Sequence, residues 1–333
     1  ISRFISRDCG PRRGYACVTF DVRGTGNSSG HSSMIYSKEE QADGFAMIDW
    51  ASRQPWCTGA VGMWGISFGG SVGLQQLGRR PPALKAVIVR SGTDDNYLEW
   101  TNPGGTPRPY QHTVFSSIMA SANFSPPDPD AVGSRWADVW QERVERSRPW
   151  SLSFVENRLN TDFWRTRGLS HERAAEVNDC AVFVIGGWSD WYAHALLRVF
   201  GRVQGPRRGL IGPWSHDWPN NSVPGPRIDF THEAARFFDE HLKGIVPPEE
   251  EANAPPLTIF RREFTPPASF RLEERGEFVT EEQWPPARVQ PTTFHLQAGG
   301  SLSLSGPDPG AEADEVRYDP RVGRCAGMWG GGP

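Results

Sequence analysis

The sequence predicts an α/β protein built on a doubly wound parallel sheet. Two observations carry that prediction. β-branched and aromatic runs alternate with segments of helical periodicity, and the alternation resumes after a long interruption between residues 96 and 178. A third is a Gly-x-Ser-x-Gly pattern lying between an apolar run and a helical one. The 333 residues carry a formal charge of −4, so nothing would drive counterion release from a phosphate backbone, and a nucleic-acid partner is not expected. A mean hydropathy of −0.52, with no apolar run near the length of a bilayer crossing, argues equally against a membrane span.

Residues 14–20 read as the first strand, ending at Asp21-Val22-Arg23-Gly24. Residues 38–53 read as a helix with Ala42, Phe45, Ala46 and Trp50 on its apolar face, closed by Pro55. A strand over 60–64 runs into Gly65-Ile66-Ser67-Phe68-Gly69-Gly70 and a helix over 71–77, followed by a strand over 84–90. Residues 96–178 lose this rhythm. They are rich in Pro and isolated tryptophans and read as a helical cap. A strand over 181–186 restores the pattern, and Tyr192, Ala195, Leu196, Val199, Phe200 and Val203 then mark a helix. A strand over 208–211 precedes Gly212-Pro213-Trp214-Ser215-His216, and a helix over 231–243 is stopped by Gly244 and Pro247. Residues 247–256 read as an acidic linker. The short runs 257–261, 269–272 and 292–296 read as the opening of an all-β domain too short to close. The domains expected are therefore core at 1–95, cap at 96–178, core at 179–246, and linker with an incomplete β domain at 247–333.

Cys9, Cys17, Cys57, Cys180 and Cys325 form no Cys-x-x-Cys pair, and an odd number in so long a chain reads as mostly buried thiols of a reducing, cytoplasmic compartment.

The Gly-x-Ser-x-Gly context projects the Ser67 hydroxyl from the sheet top beside a helix N-terminus. A serine hydroxyl is a weak nucleophile and needs a base, which in turn needs an orienting carboxylate. Asp190 and His216 each follow a later strand, in the order this fold demands. The plainer alternatives are a helix N-cap for Asp190 and an ordinary loop histidine for His216. The other histidines (His31, His112, His171, His194, His232, His241 and His295) sit less suitably. A competing motif at residues 24–30 resembles the dinucleotide fingerprint, but Ser29 replaces its third glycine and no helix opens there, so it reads as a turn. With no zinc, Walker or EF-hand pattern present, no metal and no cofactor are expected.

Four ordered segments together resemble the cocaine esterase and X-Pro dipeptidyl-peptidase family (CocE/NonD hydrolases). They are Phe20-Asp21-Val22-Arg23-Gly24-Thr25-Gly26 with Ser28-Ser29-Gly30, residues 59–69, Gly186-Gly187-Trp188-Ser189-Asp190, and Ile211-Gly212-Pro213-Trp214-Ser215-His216. The resemblance, from about residue 14 to 320, implies an α/β-hydrolase fold with a helical cap and a C-terminal jelly roll. It implies Ser67 as nucleophile, Asp190 as acid and His216 as base. The backbone N–H of Phe68 is the oxyanion donor that can be named. The family's other donor, a tyrosine on an early strand and loop, has no counterpart after Ile1, and the loop at 24–30 is the next place to seek one. On this reading the chain is a fragment, without the N-terminal strands and most of the jelly roll, and as such weakly active. The substrate expected is a small-molecule ester, amide or peptide, and a homo-oligomer is admitted as a further partner. Trp188, Trp191 and Trp214 are candidates for the pocket wall, with ordinary core packing as the alternative. Carboxylates of the cap region, Asp94, Asp95, Glu99 and Asp138, are candidates for holding a substrate ammonium. The rival from another class is a non-catalytic binding module on the same scaffold.

Overall fold

The computed structural model describes residues 13–322, apart from 170, 267, 269, 307–309, 311–314 and 316. Cys9 and Cys325 lie outside the described residues. Of the remaining cysteines, Cys180 is buried, which pushes its thiol up to about 12, whereas Cys17 is exposed, against the expectation of burial.

Among the described residues the central sheet has six strands in the order β1 to β6: Val61–Ile66, Leu84–Arg90, Ala181–Gly187, Arg207–Gly212, Leu257–Arg262 and Gly276–Glu281. The first five are parallel and the last runs antiparallel to β5. Side chains alternate between its faces as the pleat requires. Val87, Val89, Val182 and Val184 face one core, and Ala86, Ile88, Phe183 and Ile185 face the other. The helices α1 (Lys38–Ser52), α2 (Phe68–Arg79) and α9 (Ala193–Arg202) cover the first face through Ile48, Leu74 and Leu196, while α10 (Phe230–Lys243) covers the second through Phe230 and Phe237. Fully burying each such side chain is worth roughly 1.5–3 kcal/mol. Between β2 and β3 the described residues form helices and no strand. The helices include two π-helical turns at Asn96–Thr101 and Gln111–Phe115, then α3 (Ser116–Asn123), α4 (Pro129–Val132), α5 (Trp136–Arg146), α6 (Trp150–Glu156), α7 (Asp162–Arg165) and α8 (His171–Ala175). No helix among the described residues is long and apolar enough to cross a membrane.

Three expectations need correction. Strand β5, with β6 beside it, belongs to the main sheet and does not open a separate β domain. Leu257 and Ile259 alternate inward, and β5 joins β4 in parallel, so the main sheet continues past residue 247. Beyond it, the described residues 270–272 of the run expected at 269–272 lie in no named strand, and a short hairpin of β7 (His295–Gln297) and β8 (Ser301–Ser303) follows. Residues 14–20 lie in no ladder among the described residues, and Val18 and Phe20 are exposed. Tyr15 is instead drawn to α10, where its hydroxyl donates to Asp239 at 2.6 Å and Lys243 sits 3.8 Å over its ring. Finally, α1 is rotated from the expected face. Gln41, Gly44, Ile48 and Ala51 are buried, while Trp50 is exposed. The reason is a close approach to α2, since a Cβ on Gly44 would lie 2.5 Å from the Gln76 amide nitrogen. That amide donates to the Gln41 carbonyl at 2.9 Å, so a polar contact outweighs the aromatic stripe in setting the helix face.

Candidate active site

Ser67, Arg90, Asp190 and His216 follow or end four neighbouring strands at the carboxyl edge of the sheet, the edge where ligands of open α/β sheets bind. Ser67 stands between β1 and α2 at φ 60°, ψ −115°, a left-handed conformation that costs a non-glycine residue roughly 1–3 kcal/mol. Its N–H donates to the Arg90 carbonyl at 2.9 Å and its carbonyl accepts from Ser71 at 3.0 Å, which hold the turn. A Cβ on Gly65 would lie 2.4 Å from the Gly69 carbonyl carbon, and one on Gly70 2.7 Å from the Arg90 carbonyl oxygen. Gly69 has open space around it. The turn thus needs Gly65 and Gly70, the latter outside the five-residue pattern. The N–H of Phe68, first in α2, donates no hydrogen bond among the described residues.

Asp190 closes the turn after β3, its own N–H donating to the Gly187 carbonyl at 3.1 Å. Its carboxylate is fully buried and accepts on both oxygens. Oδ1 takes the Trp191 N–H at 2.7 Å and the His216 Nδ1 at 3.1 Å, and Oδ2 takes Arg90 Nη1 at 3.0 Å and the Ser91 hydroxyl. The N-cap-like bond to Trp191 and the bond to the imidazole therefore coexist. Burial pushes the Asp190 pKa up, but the His216 hydrogen bond, the Arg90 charge and the Ser91 hydroxyl together bring it below the usual aspartate value. An ionised carboxylate accepts, so Nδ1 of His216 carries the proton and Nε2 is left as an acceptor. The Tyr192 ring lies against the imidazole, centroids 5.6 Å apart, and burial pushes its phenol well above the ordinary tyrosine pKa. No direct Ser67–His216 bond is formed among the described residues.

Arg90 was not anticipated. It is a fully buried arginine at the end of an apolar strand, and that placement is the signal by which the sequence could have revealed it. Nε donates to the Asp217 carbonyl at 2.9 Å, Nη2 to the Ser215 carbonyl, and Nη1 to Asp190, to Ser91 and, at 3.4 Å, to the Ile185 carbonyl. One side chain thus grips the carboxylate of Asp190 and the backbone on both sides of His216. Burial depresses the Arg90 pKa, and the Asp190 charge offsets this in part.

The remaining expected residues separate. Trp214 is fully buried in the core on the α10 side, Nε1 donating to the Pro226 carbonyl at 2.8 Å. A Cβ on Gly212 would lie 2.4 Å from its ring, and one on Gly187 2.0 Å from its carbonyl oxygen. It is a core residue and not a pocket wall. Trp188 donates to the Phe260 carbonyl at 2.7 Å and faces a cleft of about 540 Å³ shared with Phe260, Trp284 and Val289. Trp191 is half-buried beneath Arg108, whose guanidinium carbon lies 5.0 Å from the ring.

In the loop at residues 24–30 four N–H groups are spent internally, Gly24 to Ser29, Thr25 to Val22, Ser28 to Thr25 and Asn27 to the Asp21 carboxylate at 2.8 Å. The carbonyls of Thr25, Gly26 and Ser28 converge on Nη2 of the fully buried Arg143 from α5. A carbonyl-lined socket for a cation has the wrong polarity for a dinucleotide phosphate. Three of the four candidate ammonium ligands are also committed. Asp94 is paired with Arg198 and Arg202, Glu99 with Arg198, and Asp95 accepts from Tyr97 and Leu98 as a helix cap. Asp138 is exposed on α5.

Residues 11–218 match the family described as X-Pro dipeptidyl-peptidase (S15 family). A Mycobacterium bovis protein provisionally named a serine esterase is 27% identical over 93% of this chain and 55% of its own length. The cocaine esterase of a Rhodococcus strain is 26% identical over 93% of this chain and 58% of its own. The chain spans about half the length of these relatives. A CocE/NonD family hydrolase of Staphylococcus aureus superposes with a TM-score of 0.63 at 22% identity, covering 85% of this chain and 45% of that one, a likeness that shows the α/β-hydrolase fold.

Removing one member of a buried ion pair leaves the other without compensation, at a cost of roughly 3–5 kcal/mol. Arg90→Met is therefore expected to lower the unfolding free energy by about that amount in urea titrations. A loss within about 0.5 kcal/mol would place the pair among surface-like contacts.

Proposed function

The chain belongs to the X-Pro dipeptidyl-peptidase (S15) family, and from that premise we propose that it is a serine hydrolase acting on an ester or amide carbonyl through an acyl-enzyme. The observation that carries the reading is the Asp190–His216 contact of 3.1 Å, formed at the same sheet edge as a serine on a strained strand-to-helix turn. Ser67 Oγ attacks the carbonyl carbon and gives its proton to Nε2 of His216, the nitrogen left free by the Nδ1 bond to Asp190. This transfer follows a rotation of the Ser67 hydroxyl toward the imidazole, of the kind that substrate binding commonly brings about. The imidazolium then protonates the leaving oxygen or nitrogen. Water deacylates the enzyme by the same path in reverse, with His216 now the base. Asp190 stays ionised throughout, as its lowered pKa favours, and holds the imidazole in one tautomer.

The negative charge of the tetrahedral intermediate calls for donors already in place. The Phe68 N–H is one. The Tyr192 hydroxyl is the second in this reading, because its ring packs against the imidazole of His216. Burial pushes its pKa well above the ordinary tyrosine value, so the phenol keeps the proton it must donate. The segment between β2 and β3, residues 96–178, is read as a cap over this edge, tied down by the Arg198 pair to Glu99 and by the Arg143 socket.

Three outcomes test the reading. A fluorophosphonate probe should modify Ser67, read by mass spectrometry of the labelled peptide, and label that persists in Ser67→Ala would refute the assignment. Asp190→Asn should keep a capping oxygen yet lose on the order of 10⁴ in turnover through the wrong tautomer, whereas unchanged turnover would leave Asp190 a cap alone. Tyr192→Phe should lower kcat by roughly 10²–10³ with KM little altered if the phenol holds the oxyanion. A change confined to KM would move it to the pocket wall.

A further inference from the structure

Arg108 sits in the segment that leads from the first π-helical turn to the second, with its N–H bonded to the Thr101 carbonyl at 2.8 Å. Its guanidinium lies 5.0 Å over the ring of Trp191, and Tyr110 braces that ring edge-on at 5.4 Å. Trp191 is fixed in turn, since its backbone N–H donates to Oδ1 of Asp190 at 2.7 Å. The stack places the cation beside the proposed site, within the electrostatic reach of Tyr192 and Glu99.

Stacking satisfies the face of a guanidinium and leaves its rim of N–H donors free. At Arg108 that rim has no hydrogen-bond acceptor among the described residues, although Nη1 is buried. A buried donor without an acceptor is costly, and its presence marks a place where another molecule supplies one. The flanks of the same segment repeat the pattern independently. Asn102 is 1% exposed and Gln111 fully buried, and the oxygen and nitrogen of both side-chain amides lack partners among the described residues.

The nearby carboxylates are spent. Asp94 and Glu99 are taken by Arg198 and Arg202, and Asp95 caps a helix, so none of these three is open to a substrate ammonium. The uncommitted charge beside the site is positive.

We propose that Arg108 is a specificity-determining residue that binds a carboxylate at the far end of the substrate's acyl chain. The proposal deepens the serine-hydrolase reading and rests on it. The carboxylate would accept from the guanidinium rim, in the fork geometry that arginine offers, while the acyl carbonyl lies at Ser67.

Two esters with five-carbon acyl groups separate this proposal from the reading beneath it. They are 4-nitrophenyl valerate and mono-4-nitrophenyl glutarate, which differ at the chain end by a methyl against a carboxylate. With uncatalysed hydrolysis subtracted, kcat/KM for the glutarate ester should exceed that for the valerate ester. Arg108→Gln should lower the glutarate value by about tenfold or more, chiefly through KM, as expected for a charge-assisted bond. The same variant should leave valerate turnover within about a factor of three, and Arg108→Lys should recover part of the glutarate preference. Added salt should raise KM for the glutarate ester alone. Wild-type turnover of valerate without preference for glutarate, or an equal fall on both esters in Arg108→Gln, would overturn the proposal and leave the hydrolase standing. Turnover of neither ester would overturn both.

Discussion

A guanidinium buried at the edge of a sheet must find an acceptor for each N–H it carries, and at Arg90 those acceptors are the carboxylate of Asp190 and the carbonyls on either side of His216. Desolvating a cation costs several kcal/mol, and only a complete set of partners offsets it. The turn after β3 and the turn after β4 are therefore held in one mutual position. The 3.1 Å contact between Asp190 and the imidazole follows from that position. Ser91, at φ 52°, takes part by donating its hydroxyl to the same carboxylate oxygen, so a second strained residue stands beside the first at Ser67. Strain of this kind persists where the surrounding structure over-determines it.

Backbone contact supplies the rest of the rigidity. Gly65 and Gly70 let the elbow close onto the end of β2, and Gly187 and Gly212 let the turns of Asp190 and His216 close around Trp214. Trp214 fills the opposite core, so the loop that carries His216 is anchored from beneath by a buried indole. The elements that position the site are thus tightly packed, while the groups that would meet a substrate come from the loops above them, a division common among sites carried by a rigid scaffold.

The strands over 84–90, 181–187 and 207–212 and the helices around them were legible because period-2 and period-3.6 patterns decide them locally. The order of Ser67, Asp190 and His216 was legible for the same reason, each following a readable strand. What escaped depended on partners distant in sequence. The face of α1 is set by Gln76 on another helix, and the strand over 257–262 reads like any short β segment until β4 offers its edge. The glycines at 24–30 look like a phosphate loop until Arg143, more than a hundred residues away, fills the loop with a cation. Arg90 resembles a strand terminus in the sequence, and its five acceptors come from residues adjacent to it and from loops roughly a hundred residues or more downstream.

In the proposed hydrolase Ser67 and His216 act as one catalytic unit, which the kinetics of single and double replacements can test. If the serine attacks only when the imidazole takes its proton, Ser67→Ala, His216→Ala and the double variant should share nearly the same residual rate on an activated ester, since removing either member already disables the unit. Losses that multiply in the double variant, or a His216→Ala protein that retains most of its turnover, would show that the serine does not depend on the imidazole.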